Sequence, residues 1–363
     1  MANIISIGTA VPKHKHNQED ILHFMQKAFG LNNDDKRKLA FLYHQSNIKT
    51  RFSVIPDFGQ PDADWSFIPK EPSAPFPSLD KRMQLYAEHA LPLSVTAIND
   101  CIDGYIKPAK ITHLITVSCT GMSAPGLDLE LVEAMELAAN VNRTSVNFMG
   151  CYAAIHALKL AKMICDTHED ANVVIVATEL CTLHFQQEFT LDNAASSLLF
   201  ADGSAAILVS SKTTAQHSLS LRSFYSQISF KGKNDMSWHI SNKGFLMSLS
   251  AYIPQLIQED ISALVENALA NGNLTTGDIT HWCIHPGGKK ILEVIQKQMR
   301  LCDCQMTDSR EVLSNYGNMS SASVLFVLKS MMSKMNDAPA NVFGVAFGPG
   351  LTMETFIASS VCS

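Results

Sequence analysis

Residues 146–155 read VNFMGCYAAI, with Cys151 directly behind Gly150 at the head of an unusually apolar segment. The segment runs on as YAAIHALKLAKMICD (152–166), where His156, Lys159 and Lys162 form one thin polar stripe among Ala, Ile, Leu and Met. That spacing predicts a helix, and a helix apolar on nearly all sides belongs at the centre of a fold. A cysteine at the head of such a helix is either core filler or a nucleophile. The rest of the chain has to decide.

Apolar runs of strand length flank this helix. HLITVS (113–118), NVVIVAT (172–178) and AAILVS (205–210) predict buried strands, and LDLELVEAMELAANV (127–141) predicts a second helix. The pattern then repeats. ITH at 111–113 and again at 279–281 each precede an apolar strand, and ANV at 171–173 and 340–342 each open one, at offsets of 168 and 169 residues. Near-equal offsets with matching element order predict a duplicated α/β chain. Its first half would span residues 1–225 and its second 226–363, and no low-complexity linker separates them. The Pro- and Asp-rich stretch 56–78 predicts a long surface excursion from the first half.

Under that offset Cys151 falls opposite Asn318, in SNYGNMSSASVLFVLKSMM (314–332). The design is the same: a glycine, a polar residue, then a helix of small and apolar residues. Two buried helices would aim their N-terminal ends, with free N–H groups and positive dipole ends, at one place. A third junction, HWCIHPGGKKILEVI (281–295), sets His285 at the end of a short strand before Pro-Gly-Gly and a new helix. Reactive side chains of α/β folds collect at strand ends. A thiol needs a base or cation beside it to act as a nucleophile, and Asn and neutral His both donate to a developing oxyanion. Singly, Cys151 reads as core, His285 as a loop residue and Asn318 as a helix cap; at mirrored turns of one duplicated fold they read as a site.

Composition narrows the function. With 46% hydrophobic and 17% charged residues the chain suits a globular domain with a deep core. A net charge of −6, with no basic cluster, excludes a nucleic-acid surface and a polybasic membrane anchor. The N-terminus lacks the pattern of a signal peptide, and no apolar run approaches the roughly 18 residues of a membrane span. Nine scattered cysteines argue against a secreted disulfide framework and for a reducing cytoplasm, and Cys302 and Cys304 have poor metal spacing.

Taken together, GCYAA around Cys151, IHPGG around His285, YGNMSSAS around Asn318, LLFADGSAA (198–206) and FGPG (347–350) resemble the type III polyketide synthases, the chalcone synthase family of the thiolase-like superfamily. The resemblance runs nearly end to end, from IGTAVP (7–12) to FGPGLTMET (347–355). It implies the five-layer αβαβα thiolase-like fold, a homodimer, and coenzyme A thioesters as substrates with no metal or organic cofactor. It makes Cys151 the acyl-accepting nucleophile, kept as a thiolate by His285. His285 and Asn318 would then stabilise the enolate left when malonyl-CoA loses CO2. It makes Phe200 a gatekeeper at the cavity mouth, with Cys119, Cys181, His184, Ser196, Gly348 and Pro349 around the cavity. Lys38, with Arg37, would meet the coenzyme A phosphates.

Two positions depart from the plant pattern. Met247 stands where plant members carry a second gatekeeper phenylalanine, with Phe245 close by, and Ala124 stands where they carry methionine. ELCTLHFQ (179–186) is more similar to bacterial members. These differences lead us to expect an aliphatic starter and pyrone- or resorcinol-type products. Two alternatives use the same residues differently: a ketoacyl synthase that initiates fatty acid synthesis, and an inactive condensing-enzyme-like binding subunit. The motifs around His285, Asn318 and Pro349 favour the polyketide reading over the first, and an intact Cys–His–Asn set argues against the second.

Overall fold

The computed structural model describes residues 1–70, 74–212 and 218–360. A nine-stranded sheet carries the fold. Its first five strands, from the centre outward, are Asn3–Ala10, Asp202–Ser210, Asn172–Leu180, His113–Ser118 and Asn142–Asn147. From Asn3–Ala10 outward, the successive pairings are antiparallel, antiparallel, parallel and parallel. On the other side lie Leu219–Ile228, Thr352–Ser360, Asn341–Gly348 and His281–Ile284, paired antiparallel, antiparallel and parallel. The second half thus repeats the first without its edge strand. Asn3 and Ile4 join the halves by pairing with Ser220 and Leu219.

The repeated tripeptides mark the same joint twice. Thr112 Oγ1 accepts from Asn172 N at 2.9 Å and donates to Asn172 O at 3.1 Å; Thr280 Oγ1 does the same with Asn341 at 2.9 and 3.0 Å. Asn172 Nδ2 donates to Lys110 O and Asn341 Nδ2 to Asp278 O. Each threonine satisfies backbone groups that strand pairing leaves open.

Alternation along the strands builds the layers. Val173, Ile175 and Ala177 face a central core, and Val174 and Val176 an outer one. In the second half, Val342 and Ala346 face the centre, and Phe343, Val345 and Phe347 face outward. The central layer holds helices Ala153–Thr167 and Ser323–Lys334. Ala153, Ala154, Ala157 and Ala161 let the first of them approach its neighbours closely. Helix Leu79–Ile102 covers one outer face, and helices Ile253–Asn271, Lys289–Met299 and Asp303–Tyr316 the other. This is the expected αβαβα thiolase-like arrangement. Residue 225, where the sequence places the boundary between halves, lies within strand Leu219–Ile228.

Some expectations change. The helix predicted over 127–141 is only Leu127–Ala134, because Glu136 turns left-handed (φ 51°) and Leu137 N reaches back to Val132 O. The turn still buries Met135 and Leu137. The 56–78 excursion, of which 71–73 lie outside the described residues, is no bare surface loop. It buries Phe58, Trp65, Phe67 and Ile68, and the buried Asp57 carboxylate accepts from Ser66, Phe67 and Ile68 N–H groups. Cys302 and Cys304 form a disulfide, whereas Cys101, Cys119, Cys151, Cys165, Cys181 and Cys283 are free. Among the described residues no helix is long and apolar enough to cross a membrane.

Candidate active site

Cys151 sits in the turn between strand Asn142–Asn147 and central helix Ala153–Thr167. Gly150 makes the turn at φ 86°, and a Cβ there would lie 2.3 Å from Pro349 Cδ. Glycine is therefore required twice over, by conformation and by the close approach of the FGPG segment. Gly150 N donates to Cys119 Sγ at 3.0 Å, which sets a second thiol beside the first.

The second half repeats the device. Gly317 turns at φ 69° and Asn318 follows. The two glycines are 167 residues apart, a residue or two short of the strand offset, so Asn318 and Cys151 do match locally. Asn318 N donates to Leu199 O and Asn318 O accepts from Ala201 N, both at 2.9 Å. The side chain is oriented as well. Ser320 N donates to Asn318 Oδ1 at 2.9 Å, so the NH2 end is turned away from that contact and its Nδ2 lies 3.4 Å from Gly287 O. The Cys151 thiol faces Ser320 Oγ at 3.8 Å.

His285 continues the His281–Ile284 strand by one residue, its N–H donating to Val345 O at 2.9 Å. It is 1% exposed, and neither ring nitrogen has a hydrogen-bond partner. Buried polar groups are normally satisfied. Both nitrogens are open to the cavity that the ring shares with a thiol and an amide.

Burial sets the electrostatics. It pushes the Cys151 thiol up to about 12, a shift that the Glu179 carboxylate adds to and hydrogen bonds from Ser320 and Asn318 oppose. It pulls the His285 imidazole down to about 3. Each group alone is thus disfavoured in its charged form, whereas the resemblance has His285 keep Cys151 as a thiolate. Only passage of a proton from sulfur to imidazole charges both, and the two opposite charges then offset each other's loss of hydration. Beneath them Glu179, raised by burial to about 7, accepts from Cys119 N, Thr120 Oγ1 and Ser321 Oγ.

Cys151, His285 and Asn318 line one cavity of about 110 Å³. Cys119, Cys181, His184, Ser196, Phe200, Met247 and Pro349 line it with them, as the sequence suggests. Three expected residues do not. Ala124 is exposed, after a turn whose Ala124–Pro125 bond is cis. Gly348 packs under Tyr152, where a Cβ would lie 2.5 Å from the ring. Lys38 points to solvent from helix Asn33–Gln45 and pairs with Asp35 at 2.9 Å.

The sequence reading placed Met247, with Phe245 close by, at the cavity but missed the rest of one wall. Strands Met236–Ser241 and Gly244–Leu249 form a hairpin whose cross-strand pairs Met236–Leu249 and Trp238–Met247 all line the cavity. Trp238 Nε1 donates to Cys119 O at 2.7 Å. Phe245 lies flat on His184, with ring centroids 4.1 Å apart, so Met247 and Phe245 both reach the cavity. Two alternating runs around Lys243-Gly244 could have signalled this hairpin.

A duplicated thiolase-like fold that brings a cysteine, a histidine and an asparagine from its two halves into one apolar cavity defines a condensing enzyme. Residues 1–213 match the family model "Chalcone and stilbene synthases, N-terminal domain" and residues 221–362 its C-terminal counterpart; the chain belongs to this family, the type III polyketide synthases. It is 30% identical over 361 residues to the "Alpha-pyrone synthesis polyketide synthase-like Pks18" of Mycobacterium tuberculosis, covering 98% of this chain and 90% of that one. The type III polyketide synthase domain of Steely1 from Dictyostelium superposes with a TM-score of 0.90 at 27% identity, over 99% of each chain. PKS-I of the brown alga Ectocarpus siliculosus does so with a TM-score of 0.88 at 26% identity, over 99% of this chain and 98% of that one. The enzyme is an acyltransferase, and the family works on malonyl-CoA and acyl-CoA thioesters without a further cofactor.

Proposed function

We propose that the enzyme loads an aliphatic acyl group onto Cys151 and extends it with malonyl units to an α-pyrone or alkylresorcinol. The observation that carries this is the convergence of Cys151, His285 and the oriented Asn318 amide in one apolar cavity. In loading, His285 takes the Cys151 proton as sulfur attacks the acyl-CoA carbonyl. The C–S bond to coenzyme A breaks, and the departing thiolate takes up a proton. In extension, the bond between the malonyl carboxylate and its α-carbon breaks, CO2 leaves, and the electron pair forms an enolate. Asn318 Nδ2 and a His285 ring N–H donate to the enolate oxygen. The enolate carbon attacks the acyl-Cys151 carbonyl and expels the Cys151 thiolate.

The aliphatic starter is supported by the lining. Met25, Met236 and Met247 border the cavity, and methionine adapts to flexible chains. A pyrone product fits the α-pyrone synthesis for which the mycobacterial relative is named. Exposed Lys38 and Arg37 would meet the nucleotide end of coenzyme A outside the cavity. The nucleophile would come from a first half near residues 1–225 and its two partners from 226–363. The test is incubation with malonyl-CoA and a panel of acyl-CoAs, followed by mass spectrometry. Extension from coenzyme A thioesters alone supports the proposal. Extension only from carrier-protein thioesters overturns it in favour of the ketoacyl synthase reading.

A homodimer of cytoplasmic type belongs to this proposal. The Asn142–Asn147 edge strand pairs on one side only, with most of its residues exposed, and Arg143 ties it to Asp128 of the adjacent helix, which exposes Leu129. An open edge of this kind is a template for a second copy. Sedimentation at the mass of a single chain would overturn it.

A further inference from the structure

We propose that Arg51 is the positioning residue that holds the Asn318 amide in register with the cavity, an inference that rests on the role assigned above to Asn318. Helix Leu191–Leu199 ends at the cavity mouth, and its last carbonyls have no partner within the helix. Each finds one elsewhere. Gln18 Nε2 donates to Leu198 O at 2.9 Å, Asn318 N to Leu199 O at 2.9 Å, and Arg51 Nη1 to Phe200 O at 2.5 Å. The next residue, Ala201, donates its N–H to Asn318 O. Four consecutive residues are thereby pinned, and Asn318 is bonded on both sides of Phe200.

Arg51 supports this clamp from beneath. It lies in strand Thr50–Ser53, is 4% exposed, lines the cavity, and donates through Nε to Gln18 Oε1 at 2.9 Å, so it also aims the glutamine. Its stem passes under Gly317, where a Cβ would lie 2.8 Å from Arg51 Cδ and 2.9 Å from Cγ. The glycine before Asn318 is thus needed for its left-handed turn and for the room Arg51 takes. A cation suits the negative end of a helix, and a planar guanidinium reaches two acceptors at a fixed angle, which an ammonium cannot. Tyr43 and Asp202 also lie beside the buried guanidinium, and the bonds to Gln18 and Phe200 fix its Nε and Nη1. Arg51 touches Asn318 only through the backbone clamp, so its effect falls on the step that needs the amide.

The experiment measures two half-reactions separately: acylation of Cys151 by a starter acyl-CoA, read by intact mass, and decarboxylation of malonyl-CoA, read as CO2 release. Arg51→Met should load within about twofold of wild type yet decarboxylate on the order of 10- to 100-fold more slowly, the scale of a misplaced catalytic group. Arg51→Lys should fall between. Gly317→Ala, which displaces the Arg51 stem, should show the same selective loss and serves if Arg51→Met does not fold. Equal loss of both half-reactions marks a merely structural residue and overturns the proposal, as does no loss in either. Asn318→Ala run alongside separates the two failures. Normal decarboxylation in Asn318→Ala refutes the site reading and this inference with it. Normal decarboxylation in Arg51→Met beside an impaired Asn318→Ala refutes this inference alone.

Discussion

Cys151 Sγ lies 3.8 Å from Ser320 Oγ, a contact that spans 169 residues and joins the two halves of the fold at their mirrored turns. Ser320 in turn orients Asn318, so one seryl residue touches the nucleophile and aims the amide. The chemistry proposed here depends on that shared geometry.

Acylation should be confined to Cys151. Among the described residues five other free cysteines are buried, two of them, Cys119 and Cys181, in the same cavity. Intact mass after mixing with an acyl-CoA should show one added acyl group, and Cys151→Ala none. An adduct that persists in Cys151→Ala would move the nucleophile elsewhere.

The pH dependence of alkylation should reveal the Cys151–His285 pair. If the proton passes between them, iodoacetamide inactivation should inflect below the ordinary thiol value of about 8.5. In His285→Ala that proton acceptor is gone, and the inflection should rise toward the value of about 12 to which burial pushes the thiol. A wild-type inflection at or above the ordinary value sinks the ion pair.

Asn318→Ala should slow malonyl-CoA decarboxylation by about 100- to 1,000-fold, as expected for loss of one oxyanion donor, while starter loading persists. Parallel rates of CO2 release and Cys151 acylation check this. Normal decarboxylation would reduce Asn318 to a backbone anchor.

His184 should draw stability down on mild acidification. Its Nε2 faces Thr120 O at 2.7 Å and its Nδ1 accepts from Phe245 N at 3.1 Å, so the ring is held neutral, and burial lowers it to about 3. Below the unfolded value of about 6.5 the unfolded chain takes up a proton that the folded ring refuses. Its contribution is therefore complete above that pH and is lost as pH falls toward 3, by up to about 1.4 kcal/mol per unit. Glu179, raised to about 7, acts in the opposite sense, favouring the folded state at low pH. Urea unfolding between pH 7.5 and 5.5 should thus show a smaller acid loss in His184→Gln than in wild type. Equal losses would remove His184 from the balance.

The starter should be aliphatic. Each buried methylene adds about 0.8 kcal/mol, so a few carbons outweigh one aromatic contact of about 0.5–1.5 kcal/mol. Values of kcat/KM over an acyl-CoA length series should rise and then break off where the chain meets Trp238. A cinnamoyl-type CoA that outperforms the series would reverse the assignment while leaving the condensing chemistry untouched.

The amino-acid sequence by itself determined the duplicated α/β plan, the two central helices and the trio Cys151, His285 and Asn318. These features are local: a hydrophobic period of two or 3.6, a glycine before a polar residue at a helix start, and a strand end before Pro-Gly-Gly. The offset between halves set Cys151 opposite Asn318, and the strand end before Pro-Gly-Gly added His285. Only the tertiary structure decided the rest of the wall around this trio, beyond the residues that the family motifs suggest. Trp238 reaches Cys119 O across 119 residues, and the hairpin face bearing Met236, Trp238, Met247 and Leu249 turns inward because the cavity covers its apolar side. Ala124 and Lys38 stay outside and Arg51 comes in, since burial of a remote side chain depends on which helix end or strand meets it. The opposing shifts of Cys151 and His285 are likewise a product of packing: a helix start favours a thiolate, but removal of water raises the thiol and lowers the imidazole, so each relies on the other to carry charge.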